Sequence, residues 1–168
     1  MCYAYSQTYG MNISILRLFN IFGPRQQDVG YGGVISIFTR RVLSGASPII
    51  YGNGAQTRDY TYIEDAVKAY DLVLSHSESM TESVNFGTGK EVAILDLANL
   101  VIELCNKKGD VKPIHVDSRI GEVERLIADA SRAKKLLGWK PKYKFEDGLK
   151  QFVSWYRNYG FEERIKIE

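Results

Sequence analysis

The sequence contains little of what several classes of functional site require. Its 168 residues include two cysteines, Cys2 and Cys105, and two histidines, and their positions do not match the ligand spacing of a metal site or a disulfide framework. Lysine and arginine number 22 against 20 acidic residues, so the chain lacks the basic excess of a nucleic-acid-binding protein. No apolar run approaches the ~18 residues of a membrane span, and the first residues lack the features of a signal peptide. We therefore expect a cytoplasmic protein that uses no metal, nucleic acid or membrane.

The residues that are present fit one globular α/β domain. Hydrophobic residues make up 45% of the chain and charged residues 25%, which is the usual globular mixture. Short apolar segments alternate with segments whose apolar residues recur at helical spacing. The expected strands are residues 12–19, 49–51, 58–63, 84–86, 114–116 and 126–128. The expected helices are residues 3–9, 34–44, 65–75, 95–106, 130–137 and 146–156. Because residues 12–19 are mostly apolar, we expect that strand to be buried on both faces of a parallel sheet.

Four ordered segments carry most of the functional information. They are Arg17-Leu18-Phe19-Asn20-Ile21-Phe22-Gly23-Pro24-Arg25, Ile50-Tyr51-Gly52-Asn53-Gly54, Thr57-Arg58-Asp59-Tyr60 with Tyr62-Ile63-Glu64-Asp65, and Arg119-Ile120-Gly121-Glu122-Val123 followed by Ala128-Asp129. Together with residues 133–139 and 146–149, they make the chain similar to the extended short-chain dehydrogenase/reductase family. Within that family it resembles the NAD-dependent nucleotide-sugar epimerases and dehydratases of the UDP-glucose 4-epimerase type. The resemblance covers nearly the whole chain.

The resemblance implies a fold and a division of labour. The fold would be a partial Rossmann-type parallel sheet end plus a small α/β substrate-binding lobe. The strand at 13–19 would lie beside the strand at 84–86, and the lobe would hold the helices at 34–44 and 95–106 and the last two helices. The chain would then be the UDP-sugar-binding part of an NAD-dependent isomerase or dehydratase.

Two arginines and a glutamate are candidates for the nucleotide's polar groups. A planar guanidinium stays charged and donates two parallel hydrogen bonds, which suits a diphosphate. The resemblance implies that Arg58 and Arg119 clamp the pyrophosphate and that Glu122 accepts from the ribose hydroxyls. Without the resemblance, each would be read as a solvated surface residue.

Asn20 directly follows the first expected strand, and ligands of open α/β sheets bind at the carboxyl ends of strands. Its amide can donate to a phosphate or sugar oxygen. A turn asparagine that bonds its own backbone is the alternative. The resemblance implies substrate contact for Asn20 and places the backbone of Phe19 near the nicotinamide, where Phe19 would also pack in the core.

Tyr51 lies at the end of a strand, just before a glycine-rich turn. An aromatic ring there offers a platform on which a flat base can stack. The resemblance puts uracil or another pyrimidine at Tyr51, with Val34 and Ile35 lining the same pocket. With eleven tyrosines in the chain, an ordinary core or surface tyrosine fits the position as well. Residues 87–90 look like a phosphate loop but lack its first glycine and its final serine or threonine, so we expect a turn.

Two signatures of the family are missing from the sequence. No Gly-x-x-Gly-x-x-Gly stands between a strand and a helix, and no lysine has a tyrosine four residues before it, which is the family's acid/base pair. The resemblance therefore implies that residues 1–168 are the C-terminal substrate-binding portion, with the dinucleotide-binding portion absent. We expect no catalytic residue in this chain and no tight NAD binding by it alone, although the intact family uses NAD.

Three hypotheses about the chain remain open at this point. It is the C-terminal part of an epimerase or dehydratase, inactive alone; or a free-standing, non-catalytic sugar-nucleotide binding module; or a remnant that acts only through self-association. The apolar strand at 13–19 would have lost the elements that cover it in the family. Because uncovered strands pair with other chains, we expect a homodimer or a separate N-terminal partner chain.

Overall fold

The computed structural model describes residues 1–28, 32–76 and 83–160. The helices in these ranges are α1 Cys2–Tyr9, α2 Val34–Leu43, α3 Ile63–Leu74, α4 Ile94–Leu104, α5 Ser131–Leu137 and α6 Phe145–Tyr159. The strands are β1 Leu16–Leu18, β2 Ile21–Phe22, β3 Ile49–Tyr51, β4 Thr57–Arg58, β5 Thr61–Tyr62, β6 Val84–Phe86, β7 Val92–Ala93, β8 Ile114–Val116 and β9 Arg125–Leu126. None of the helices in the described ranges has the length and apolar character that crossing a membrane requires.

Short parallel ladders join strands that are far apart in sequence. β1 pairs with β6, β2 with β5, and β3 with β8, all in parallel. β4 lies between β7, which runs antiparallel to it, and β9, which runs parallel. Parallel neighbours need crossover connections, and helices provide them here. The expected α/β fold is confirmed, and so is the pairing of the first strand with β6.

The first expected strand is shorter and less buried than the sequence indicated. β1 covers three residues, and Arg17 at its centre is exposed. The expectation of burial on both faces is therefore wrong for this strand. The chain leaves β1 at Asn20, which has a φ of 33°. Asparagine tolerates this left-handed conformation better than most residues, and the bend lets β2 begin in a different ladder.

The expected strand at 58–63 is in fact two strands with different partners. The Asp59 amide still donates to the Leu126 carbonyl at 2.9 Å, in line with the pairing of β4 and β9. Two residues later, the Thr61 amide donates to the Asn20 carbonyl at 3.3 Å, beside β2. The chain therefore passes from one ladder to another at Tyr60, which is why one β-prone segment forms two short strands.

The buried side chains form two clusters. We call the larger the lobe cluster. It is built by α2, α4 and α6, with Ile35, Phe38, Val42, Leu97, Val101 and Phe152 among its members. We call the smaller the sheet-end cluster. Its members are Ala69, Val84, Phe86, Ala133 and Trp139. The expected lobe is thus present in α2, α4 and α6. The placement of α5 in that lobe is wrong, because Ala133 of α5 packs with β6 instead.

Candidate functional site

The segment Arg58-Asp59-Tyr60 is the framework of the site. Successive side chains of an extended chain point to opposite sides, so Arg58 and Tyr60 share one side and Asp59 takes the other. Asp59 is fully buried, and its Oδ1 accepts from the Thr88 amide at 2.9 Å and from the Thr88 hydroxyl at 2.5 Å. Its Oδ2 accepts from the amides of Gly89 and Ala128 at 2.8 and 3.1 Å. Four donors thus hold Asp59 in place and with it the residues on either side.

The loop that binds Asp59 is the one that resembles a phosphate loop. Its amides are occupied by the Asp59 carboxylate, so this loop serves the protein's own structure, in agreement with the expected turn. Gly87 allows the close approach, because a Cβ there would lie 2.3 Å from the Ala128 Cβ and 2.9 Å from the Asp59 Oδ2. Any side chain at Gly87 would push the loop away from the carboxylate.

Asn20 connects the end of β1 to this framework. Its Nδ2 donates to the Asp59 carbonyl at 2.8 Å, so one of its amide hydrogens is used within the protein. The second amide hydrogen and the carbonyl oxygen of the side chain are not involved in that bond. Asn20 therefore both positions the Arg58-Asp59-Tyr60 segment and lines the cavity described next.

One cavity of about 310 Å³ brings the candidate substrate residues together. A volume of this size lies at the lower end of the range for small-molecule sites. The candidates that line it are Asn20, Val34, Ile35, Tyr51, Arg58, Arg119 and Glu122. They come from the ends of β1, β3 and β4, the start of α2 and the loop between β8 and β9. Their roles toward a ligand stay predictions.

The two arginines sit in different surroundings within this cavity. Arg58 is held firmly: one terminal nitrogen donates to the Val123 carbonyl at 2.6 Å, and the other lies 2.5 Å from Glu122 Oε1. Arg119 is exposed, and its guanidinium carbon lies 3.7 Å from the centre of the Tyr51 ring. Stacking uses the flat face of a guanidinium, which leaves the N–H groups at its edge able to donate.

These contacts pair the predicted residues in a way that the sequence did not indicate. Sequence reasoning joined Arg58 with Arg119, and gave Glu122 and Tyr51 to the ribose and the base. In the structure Glu122 is the ion-pair partner of Arg58, and Tyr51 is the stacking partner of Arg119. Both arginines still face one cavity, so two positive groups are available to one ligand.

Sequence reasoning missed several residues of the cavity wall, among them Tyr60 and Gln26. Tyr60 is 4% exposed, and burial raises the pKa of its hydroxyl while the charge of Arg58 lowers it in part. Gln26 donates from Nε2 to the Ile21 carbonyl at 2.9 Å. Within the described residues, neither the Tyr60 hydroxyl nor the Gln26 Oε1 has a hydrogen-bond partner. The alternation from Arg58 would have indicated Tyr60, whereas no sequence signal marked Gln26.

Among the candidate residues, the assignment to NAD rests on Phe19 alone. Phe19, the one residue that the resemblance assigned to the cofactor, uses its amide to donate to the Phe86 carbonyl at 3.0 Å. Its Cβ lies against Gly87, and it does not line the cavity.

The sequence matches the family model described as GDP-mannose 4,6 dehydratase over residues 1–152. The chain belongs to the NAD-dependent nucleotide-sugar epimerase and dehydratase family. A putative UDP-glucose 4-epimerase of Methanocaldococcus jannaschii is 40% identical to it over 92% of the chain and 48% of the relative. The chain spans about half the length of the curated relatives it matches.

Solved structures of the family show the same fold. The UDP-glucose 4-epimerase of Thermotoga maritima with UDP-glucose superposes with a TM-score of 0.86, at 36% identity, over 92% of this chain and 49% of its own. The UDP-glucuronic acid 4-epimerase of Bacillus cereus, in complex with UDP-glucuronic acid and NAD, superposes with a TM-score of 0.84, at 28% identity, over 94% of this chain and 49% of its own. Members of the family thus hold UDP-sugars and NAD.

Proposed function

We propose that this chain is the C-terminal, substrate-binding portion of an NAD-dependent nucleotide-sugar epimerase or dehydratase, and that its cavity holds the nucleotide diphosphate of a UDP-sugar. The observation that carries the proposal is that Arg58 and Arg119 line one cavity together with Tyr51. Tyr51 is the last residue of β3, and its ring stacks against the Arg119 guanidinium. Two guanidinium groups can donate charge-assisted hydrogen bonds to the two negative phosphates, and an aromatic ring can stack on a flat base.

The roles of the individual residues follow from their surroundings. Arg58 is rigid, because Glu122 and the Val123 carbonyl hold it, so it offers a fixed positive charge for one phosphate. Arg119 is exposed at the mouth of the cavity and covers the ring of Tyr51. The base would stack on the face of the Tyr51 ring opposite Arg119, while Val34 and Ile35 line the same cavity. Glu122 would accept a hydrogen bond from a ribose hydroxyl through its Oε2, because its Oε1 pairs with Arg58.

Titration calorimetry with UDP tests this proposal. Arg119 is the cleaner target, because removing Arg58 would leave the Glu122 carboxylate unpaired. Arg119→Ala should weaken UDP binding by roughly 1.5–3 kcal/mol, the scale of a hydrogen bond to a charged group. Arg157→Ala is the matched control, since Arg157 donates to the Leu104 carbonyl away from the cavity and should leave UDP affinity unchanged. GDP should bind more weakly than UDP, and absence of UDP binding by the wild-type chain would contradict the proposal.

We propose further that the chain alone neither turns over a UDP-sugar nor binds NAD tightly. Support comes from the sequence, in which no lysine has a tyrosine four residues before it, and from the use of Phe19 within the β1–β6 region. An assay of UDP-glucose with added NAD should give no product. Turnover by the pure chain would overturn this part of the proposal and leave the nucleotide-binding part standing.

The exposed face of α1 supports association with another chain. α1 has no buried residue, and it exposes Tyr3, Tyr5 and Tyr9. In the described part of the chain, β1 pairs with β6 on one edge. We propose a homodimer or a separate N-terminal partner at this surface, in the cytoplasm, where both cysteines would stay reduced. Sedimentation of the pure chain as a monomer at high concentration would contradict the dimer.

A free-standing binding module and a self-associating remnant are the alternatives. UDP binding without any partner chain in the organism would favour the module. A stable oligomer without UDP binding would favour the remnant.

A further inference from the structure

One buried hydroxyl in the cavity wall is unexplained by the fold. The Tyr60 side chain lines the cavity and is 4% exposed, and its hydroxyl meets no hydrogen-bond partner among the described residues. A buried hydroxyl without a partner lowers stability, because it has lost water and gained nothing in return. A phenylalanine would fill the same space without that cost. Among the described residues, Tyr60 is thus the one with an unpartnered buried hydroxyl in the cavity wall.

The position of this hydroxyl is fixed by its neighbours. The Tyr60 ring stacks on Phe145 with centroids 5.3 Å apart, and the edge of the pair is closed by Phe22 at 6.3 Å. Its backbone is fixed as well, because the preceding residue, Asp59, is held by four hydrogen bonds. A group fixed in this way can bind a ligand atom with little loss of conformational entropy.

The neighbouring charge indicates which kind of ligand atom would meet it. Arg58 lies two residues earlier on the same side of the extended segment, and its charge reaches the Tyr60 hydroxyl. Burial keeps that hydroxyl protonated, so it acts as a donor at neutral pH. An anionic oxygen drawn to Arg58 would therefore find a second, neutral donor beside it.

We propose that the Tyr60 hydroxyl donates a hydrogen bond to a diphosphate oxygen of the nucleotide held by Arg58, and so adds to the affinity and specificity of the cavity. This inference rests on the proposed function. It assigns a binding role to a residue that the fold alone would fill with phenylalanine. The same hydroxyl lowers the stability of the free chain, so binding and stability make opposite demands at Tyr60.

The variant Tyr60→Phe tests the proposal because its two effects have opposite signs. In urea unfolding the variant should have a midpoint equal to or above that of the wild type, because an unpaired hydroxyl has been removed. In titration calorimetry it should bind UDP about tenfold or more weakly, which is the loss expected for a hydrogen bond to a charged group. A residue with a merely structural role would lose stability and affinity together.

Tyr62→Phe is the matched control. Tyr62 is equally buried, lies two residues away and does not line the cavity, and its hydroxyl donates to Gln151 Oε1 at 3.1 Å. Removing that hydroxyl breaks an existing hydrogen bond. The Tyr62→Phe midpoint should therefore fall slightly while UDP affinity stays at the wild-type value.

Three ligands distinguish the atoms involved. With UDP and UDP-glucose, Tyr60→Phe should show the same loss; with UMP, which has no diphosphate, the loss should be much smaller. A loss for UDP-glucose alone would mean that a sugar hydroxyl is the acceptor and would overturn the diphosphate assignment. Wild-type affinity of Tyr60→Phe for UDP would overturn the inference while leaving the proposed function intact. If the wild type itself binds no UDP, the proposed function fails first.

Discussion

The lobe cluster and the sheet-end cluster are built on different scales. Among the described residues, 18 buried hydrophobic residues form the lobe cluster and five form the sheet-end cluster. The lobe cluster packs three helices against one another, and Ile35, Phe38 and Tyr60 belong both to it and to the cavity wall. The cavity is thus built on the larger core. The difference indicates that the region around the cavity carries its own stability, while the sheet end depends on fewer contacts.

The largest expected effect comes from opening the lobe cluster. Phe152 is fully buried there, and Phe152→Ala should cost about 3–5 kcal/mol of unfolding free energy, because it leaves a cavity that the helices fill only in part. Cys105 reports the damage: it is buried in the same cluster, and burial raises the pKa of its thiol to about 11. Labelling of Cys105 should be slow in the wild type and fast in Phe152→Ala, with the exposed Cys2 as internal reference.

The same measurement on the other cluster makes the comparison falsifiable. Phe86 is fully buried at the sheet end and packs against Trp139 with centroids 5.2 Å apart. Phe86→Ala should alter the fluorescence of Trp139 and leave Cys105 protected. Equally fast labelling of Cys105 in both variants would show that the two clusters unfold as one unit.

A smaller effect is expected where the two clusters are joined. Asp65, in the first turn of α3, accepts from the amides of Lys142 and Tyr143 at 2.9 and 3.1 Å, and its carbonyl accepts from the Trp139 indole at 3.1 Å. Asp65→Asn replaces one acceptor by a donor and should cost about 1–3 kcal/mol in urea unfolding. UDP affinity should stay at the wild-type value. Asp71→Asn, on the exposed side of the same helix, should change neither quantity.

The smallest effect concerns pH and an exposed ion pair beside β4. Hydrogen bonds from Arg125 and Thr57 lower the pKa of Glu91 to about 2, from an ordinary value of 4.5. A carboxyl with a lowered pKa stabilises the fold above its unfolded pKa, and that contribution is lost as the pH falls toward 2. The urea midpoint of the wild type should therefore exceed that of Glu91→Gln at pH 7 by a small, salt-sensitive amount. The two midpoints should converge between pH 4.5 and about 2, and a constant gap would contradict the role of Glu91.

Much of the fold could be predicted, because strands and helices were marked by local apolar spacing. The switch of partners at Tyr60 could not, since it depends on which distant strands lie beside each half of the segment. The two-residue strands β2 and β7 are too short to give a pattern. α5 was assigned to the wrong cluster because its seven residues do not reveal which neighbour they pack against.

The cavity residues were predictable in identity but not in pairing. The family resemblance of the ordered segments indicated Arg58, Arg119 and Tyr51. The pairing of Arg58 with Glu122, 64 residues apart, arises from how the loop before β9 folds back on β4. Gln26 and Tyr60 were not predicted, because what distinguishes them is a buried polar atom without a hydrogen-bond partner among the described residues. Only the three-dimensional arrangement shows which polar atoms lack such a partner.

The alternation through Arg58, Asp59 and Tyr60 makes the spacing of this segment as important as its composition. Deleting or inserting one residue just before Arg58 would exchange the two sides of the extended chain. The carboxylate would then enter the cavity and repel an anion, while the guanidinium would be forced against the amides of Thr88, Gly89 and Ala128, which offer it no acceptor. A single change in length would thereby reverse the sign of the charge presented to the ligand, without altering any of the three residues.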